Sequence, residues 1–113
     1  MHELSLCESI LQIIEEQAPL QGFSQVRRVR LEVGPLAGVE PSALLFGFEV
    51  VTRNSIAAGA ELEILEPPGE GFCFDCRRQV TIPSRAAPCP HCGSQYVEAT
   101  GGTQLRIKDL EVV

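Results

Sequence analysis

Two Cys-x-x-Cys pairs limit what this chain can become more than any other feature. They are Cys73-Phe74-Asp75-Cys76 and Cys89-Pro90-His91-Cys92, with twelve residues between them. Each pair closes a tight turn, and the spacer lets the second turn face the first. Four thiolates are then within reach of one ion, and zinc accepts four sulfurs tetrahedrally with no d-electron preference to satisfy. The spacer is slightly shorter than the usual range but belongs to the same pattern. Two disulfides, or four unrelated thiols, are the plainer alternatives. Four of the chain's five cysteines fall in the pattern, which makes chance a poor account of it.

A chain of 113 residues with 44% apolar and 21% charged residues is ordinary for a small globular protein. It has no Trp, one Tyr and five Phe, so its core must be mostly aliphatic. No apolar run is long enough to span a membrane. Met1-His2-Glu3-Leu4 has no basic region ahead of an apolar one, and a cytoplasmic protein is expected. In that reducing setting, paired cysteines are metal ligands rather than disulfides. The net charge of −6 falls on residues 1–67, which carry ten acids and four bases. Residues 68–102 balance Glu70, Asp75 and Glu98 against Arg77, Arg78 and Arg85. Phosphate backbones attract basic footprints, so nucleic acid is not an expected partner.

Helical spacing of Leu4, Cys7, Leu11 and Ile14, widened by Ile10 and Ile13, predicts a helix from His2 to about Ala18. Ser5 with Glu8 fits a capping box, and Pro19 is expected to end the helix. Val26–Val33 alternates, with Val29, Leu31 and Val33 on one face and Arg28, Arg30 and Glu32 on the other. Glu40-Pro41-Ser42 opens a second helix with an apolar stripe of Leu44, Leu45, Phe48 and Val51, and Asn54 is its expected stop. Ala60–Glu66 is a further strand. Thr103–Val113 returns as another, its apolar phase shifting at Leu110 as a bulge would cause. Pro67-Pro68-Gly69 marks the internal boundary. About 35 residues beyond it cannot build an adequate core, so the lobe is expected to depend on its metal. The fold class is therefore α+β: a small mixed three-stranded sheet with two helices, plus an inserted four-cysteine zinc-ribbon domain. The division is residues 1–67 with 103–113 against residues 68–102.

The first three residues form a second candidate site. The amine of Met1, the main-chain nitrogens of His2 and Glu3, and the His2 imidazole lie along one short piece of chain. A metal that tolerates deprotonated amides can join them into fused chelate rings. Nitrogen-rich planar sets suit Ni(II) or Cu(II) rather than Zn(II). His2 must be neutral to bind, so affinity should fall in mild acid. Taken alone, a Met-His start more often means a solvated histidine.

The order of motifs adds to this. Met1-His2-Glu3-Leu4-Ser5, the stretch Glu32-Val33-Gly34-Pro35-Leu36-Ala37-Gly38-Val39-Glu40-Pro41, the segment Leu45-Phe46-Gly47-Phe48-Glu49 and the four-cysteine motif together resemble the HypA/HybF family of hydrogenase nickel-insertion proteins. The resemblance runs over essentially the whole chain. It implies a nickel metallochaperone with structural zinc that delivers Ni(II) to the large subunit of [NiFe]-hydrogenase. It implies a maturation GTPase as partner, and in some members urease maturation proteins as well. Carried over by position, His2 is the nickel ligand, Met1 gives its amine and Glu3 its backbone nitrogen. Glu40 matches an acidic position near the nickel. Cys73, Cys76, Cys89 and Cys92 match the zinc ligands. Monomer and homodimer both remain open.

The other candidates have plainer readings. Cys7 lies on an apolar stripe and reads as a small buried hydrophobe. His91 lies inside the second pair and reads as an exposed knuckle residue. Glu15-Glu16 and Glu61-Glu63 read as solvated faces. Arg28 and Arg30 fit solubility as well as they fit an acidic partner. No Gly-rich phosphate loop is present and no enzyme activity is expected. The competing functions are a zinc-ribbon module for nucleic acid or protein, and a rubredoxin-like electron carrier with iron on the four thiolates.

Overall fold

The computed structural model describes residues 2–113. In chain order the elements are α1 (His2–Gln21), β1 (Val26–Val33), α2 (Pro41–Val51), β2 (Glu61–Leu65), β3 (Glu70–Cys73), β4 (Arg78–Thr81), β5 (Val97–Gly101) and β6 (Leu105–Val112). They make two three-stranded sheets, ordered β2-β1-β6 and β4-β3-β5. This is the α+β class expected from the pattern of periodicities, with two helices and the return strand β6 joined to β1. Among the described residues, no helix is long and apolar enough to cross a membrane.

By compactness the chain divides into two units. One holds Met1–Leu31, Val39–Ile64 and Ile107–Val113; the other holds Glu32–Gly38 and Leu65–Arg106. In the first, α1 buries Cys7, Ile10, Ile14 and Ala18, and α2 buries Leu44, Gly47 and Phe48. Val29, Leu31 and Val33 of β1 are 0%, 0% and 2% exposed, which is the alternation that predicted the strand. The buried stripe of α1 is narrower than its sequence suggests. Ile13 is 48% exposed. On α2, Leu45 is 48% and Phe46 66% exposed.

α1 starts at His2 as expected, but its capping and its end differ from expectation. The helix already runs at His2, so Ser5 lies inside it and cannot be its N-cap; the Ser5 carbonyl instead accepts a bond from Ser9 Oγ at 3.1 Å. Pro19 does not end the helix, which continues to Gln21. The stop is Gly22, at φ 74°, where the Gly22 and Phe23 amides both donate to the Ala18 carbonyl, at 2.9 and 3.1 Å. A left-handed residue closes the last turn and satisfies a terminal carbonyl, which a proline three residues earlier does not do. The start of the second helix follows expectation, with Glu40 as its N-cap residue and Pro41 in its first position; its C-cap is Thr52, two residues before the expected stop Asn54, which takes φ 61°.

The outer face of β1 is a lattice of ion pairs. Arg30 grips Asp109 with two bonds, Nε at 2.8 Å and Nη2 at 2.6 Å. Arg28 faces Glu61, Glu63 and Glu111, and Arg27 also reaches Glu111. The strand's basic side chains are thus engaged with the protein's own carboxylates. Exposed pairs of this kind contribute little stability each.

In the second unit, β3 is the central strand and pairs antiparallel with β4 and β5. Leu36, Cys73, Val80, Ile82 and Cys89 make its core, with Ala87, Val97 and Ala99 packed against it. The segment Glu32–Gly38 is tied in by main-chain bonds. Gly34 donates to Gln104 O and Leu36 to Gly102 O, both at 2.8 Å. A Cβ on Gly34 would collide with the Gly102 carbonyl. Gly34→Ala is therefore expected to destabilise the protein by about 1–3 kcal/mol, since backbone atoms cannot yield as a side chain can. A thermal melt unchanged from the parent would contradict this.

Candidate metal centres

The four cysteines converge. Cys73 ends β3, Cys76 closes the turn into β4, and Cys89 and Cys92 sit on the loop before β5. Their sulfurs all lie within 4.8 Å of one another. Cys73 Sγ and Cys92 Sγ are 3.6 Å apart, and Cys76 Sγ and Cys89 Sγ 3.7 Å. A tetrahedral ion with zinc–sulfur bonds of about 2.3 Å needs sulfurs about 3.8 Å apart. Disulfide sulfurs would lie at about 2.05 Å, and all five cysteines are free. The donor set and its spacing therefore fit a four-coordinate thiophilic cation.

The local chain explains the convergence. Arg77 takes a left-handed φ of 55° and Gly93 one of 76°, so each Cys-x-x-Cys turn is followed by the same reversal. The Gly93 amide donates to the Cys89 carbonyl at 2.8 Å, and the His91 amide points at Cys89 Sγ at 3.4 Å. Electrostatics separate the thiols. Burial raises the Cys89 thiol, but the amides of Cys92 and His91 and the neighbouring thiols outweigh it and hold it at about 6. Burial pushes Cys76 up to about 12, reinforced by its bonds to Cys73, Cys89 and Cys92. Four thiols this close cannot all ionise by themselves; a divalent cation is what makes four thiolates compatible. His91 is exposed on the knuckle, as its position inside the pair suggested.

The second candidate site lies at the start of α1. Met1 is outside the described residues. His2 and Glu3 occupy the first turn, where amides have no partner within the helix. His2 Nδ1 is 3.9 Å from Glu3 Oε2. The Glu40 amide donates to the same Glu3 oxygen at 3.3 Å, which brings the residue before α2 beside the start of α1. The Glu40 carboxylate accepts from Ser42 Oγ at 3.2 Å. So the structure gathers three of the four residues named for this site, with Glu3 as the link. The Glu3 carboxyl is held below its ordinary 4.5, first by its own amide, then by that of Glu40, against the opposing effect of burial, with His2 adding to the lowering. A depressed carboxyl stabilises the fold above its unfolded value and ceases to do so as pH falls through the folded value. The Glu3–Glu40 link is thus expected to persist at neutral pH and to open only below 4.5. A carboxyl-carbon NMR titration with a Glu3 midpoint at or above 4.5 would refute it.

Cys7 is fully buried, its thiol donating to the Leu44 carbonyl at 3.4 Å and raised by burial and by the nearby Glu3 charge. It is a packing residue, as its place on the stripe indicated. What the sequence reading missed is polar: Ser94 Oγ donates to Asp75, tying one cysteine turn to the other. The only available signal was a serine just past the second knuckle.

A family model described as hydrogenase/urease nickel incorporation, metallochaperone, HypA matches residues 1–112. The hydrogenase maturation factor HypA of Alkalilimnicola ehrlichii is 58% identical over 112 residues, 99% of each chain. That of Beijerinckia indica is 54% identical over the full length of both. Among solved structures, the solution structure of the Ni metallochaperone HypA from Helicobacter pylori aligns with a TM-score of 0.66 at 25% identity, covering 98% of this chain and 97% of that one. A second HypA solution structure aligns with a TM-score of 0.70 at 27% identity, covering 100% and 97%. A match unbroken from the first residue through both cysteine pairs to β6 leaves one placement: the chain belongs to the HypA family.

Proposed function

We propose that this protein is a nickel metallochaperone that delivers Ni(II) to the large subunit of [NiFe]-hydrogenase in the cytoplasm. Family membership supports the nickel role, and relatives over 50% identical carry the hydrogenase maturation name. The observation that carries the site is the helix start: His2 and Glu3 present amides that no helical carbonyl claims, beside an imidazole. The Met1 amine, the His2 and Glu3 nitrogens and the His2 ring would hold the nickel. Glu40, linked to Glu3 through its amide, would act on the position of that segment rather than as a ligand.

The two metals have different jobs in this reading. Zinc at Cys73, Cys76, Cys89 and Cys92 is structural, closed by four thiolates and slow to leave. Nickel is cargo, and ligands from a single chain end can be surrendered one at a time to an acceptor. Because His2 binds only when neutral and coordinated amides lose their protons, loading releases protons and weakens in acid. With no phosphate loop of its own, the chain would rely on a partner GTPase for energy-driven transfer. Some family members' link to urease makes urease maturation proteins a further class of recipient. This is binding and transfer rather than enzymology.

The test is a nickel titration of the untagged protein beside His2→Ala, with zinc assayed in both. Saturation near one Ni(II) per chain, lost in the variant while zinc stays at one, is the expected result. Equal nickel binding in the two proteins would sink the N-terminal assignment. A red, iron-loaded protein would favour the electron-carrier reading instead.

A further inference from the structure

The β4-β3-β5 sheet packs one face on its core and turns the other to solvent. Register sorts the residues. Phe72 of β3 lies directly opposite Gln79 of β4 and Glu98 of β5, while Cys73 and Gly71 have the opposite parity. Phe74 follows on the same face as Phe72. Its amide donates to the Tyr96 carbonyl at 2.9 Å, which continues the register and sets Tyr96 opposite it. The Phe72 and Phe74 rings meet edge to face, centroids 5.2 Å apart. Phe74 is 56% exposed and Tyr96 71%.

Half of the chain's six aromatic side chains therefore share one solvent-facing surface. Packing does not require this, because the core of the unit is on the other face. The strip is also held firmly. The Tyr96 amide donates to Ser94 Oγ at 2.9 Å, Ser94 Oγ donates to Asp75, and the Cys89 amide donates to the Ser94 carbonyl at 2.8 Å. The turns that place the cysteines thus place the aromatics. Rigid aromatic surface is what protein interfaces use for anchoring.

Its surroundings select the ligand. Glu98 stands opposite Phe72, and Glu70 lies two residues before Phe72 on the same strand face. The β4 residues on this face are Gln79 and Thr81. Arg78 pairs with Cys73 and so belongs to the other parity. We propose that Phe72, Phe74 and Tyr96, flanked by Glu70 and Glu98, form a docking surface for a basic, partly apolar segment of a partner protein. A guanidinium or ammonium group stacks on an exposed ring and is held by the carboxylates beside it. Nucleobases would stack on the same rings, but the strand residues of this face offer their phosphates two carboxylates and no base. The proposal rests on the sheet and is independent of where nickel binds.

The test uses the full zinc-loaded chain, labelled with nitrogen-15. It is titrated with a short peptide alternating Arg and Leu, with the same peptide carrying Glu for Arg, and with a short oligothymidylate. The Arg–Leu peptide is expected to shift the amides of Phe72, Phe74, Tyr96 and Glu98, with affinity falling as salt is raised. The double substitution Phe74→Ser and Tyr96→Ser should weaken it by about tenfold or more with zinc content unchanged. Glu98→Gln should weaken it about threefold and flatten the salt dependence. If the double variant loses zinc, Tyr96→Ser alone serves, since that side chain is the more exposed. The proposal is overturned if the Arg–Leu peptide does not bind, binds elsewhere, or binds the variants equally. It is equally overturned if the oligothymidylate or the acidic peptide is what the face prefers.

Discussion

Chelation of the metal at Cys73, Cys76, Cys89 and Cys92 is expected to unfold the β4-β3-β5 unit and to leave the helices largely intact. The reason lies in what the unit buries. Its core is Leu36, Cys73, Val80, Ile82 and Cys89, so two of its five buried side chains are themselves donors to the ion. Three aliphatic side chains cannot order a lobe whose three strands are four or five residues long. Structural zinc in comparable small sites contributes about 10–16 kcal/mol at neutral pH. Ordering also depends on the ion electrostatically, because thiols this close oppose one another's ionisation, as the separation of Cys89 from Cys76 indicates. The measurement is an amide NMR spectrum during chelation. Resonances of residues 70–101 should collapse to random-coil positions, while those of Cys7, Ile14, Val29 and Leu44 stay dispersed. One equivalent of Zn(II) should restore the spectrum. Cys89→Ser should reproduce the collapse without chelator. A spectrum that stays dispersed throughout would show that the unit folds on its apolar contacts and that the metal is incidental.

The legibility of the fold followed the strength of each local signal. β1 was plain because its alternation is strict and one face is wholly buried. The metal centre was plain because four sulfurs at fixed spacing allow few other outcomes. The end of α1 was misread because proline is a strong local signal, whereas Gly22 acts through two amides converging on the Ala18 carbonyl. The exposed Ile13 and Leu45 were read as core because periodicity gives the direction of a stripe but not its width. The attachment of Glu32–Gly38 to Gly102 and Gln104 was invisible, since it is made by backbone groups whose partners lie some 70 residues along the chain. At the start of α1, the residues of the proposed nickel site were named through the resemblance, while the Glu3–Glu40 link had no signal in the sequence. It depends on an amide of Glu40, not on the side chain that drew attention to that position.

Blocking the amine of Met1 should abolish nickel binding as completely as removing the His2 ring. The proposed ligands are consecutive along one strand of chain, so their affinity comes from fused chelate rings rather than from a preformed cage. Remove the terminal donor and the ring that orders the adjacent amide is lost with it; the amide then has no reason to give up its proton to the metal. An acetylated N-terminus, or a short extension ahead of Met1, is therefore expected to lower nickel affinity by at least about 100-fold, or about 2.8 kcal/mol. Zinc content and the dispersion of the NMR spectrum should not change. His2 and Glu3 lie in the first helical turn, so nickel should also perturb that turn: planar chelation and helical dihedrals compete for the same two residues. Far-ultraviolet circular dichroism during loading should show a small loss of helix, confined by NMR to residues ahead of Cys7. Glu3→Gln separates the two effects. It keeps every proposed nitrogen ligand but weakens the tie to the Glu40 amide, so the segment should unwind more readily and nickel should bind no worse than in the parent. If Glu3→Gln instead eliminates binding while acetylation does not, the carboxylate is the ligand and the amine is not. The planar, nitrogen-rich description of the site would then have to be given up.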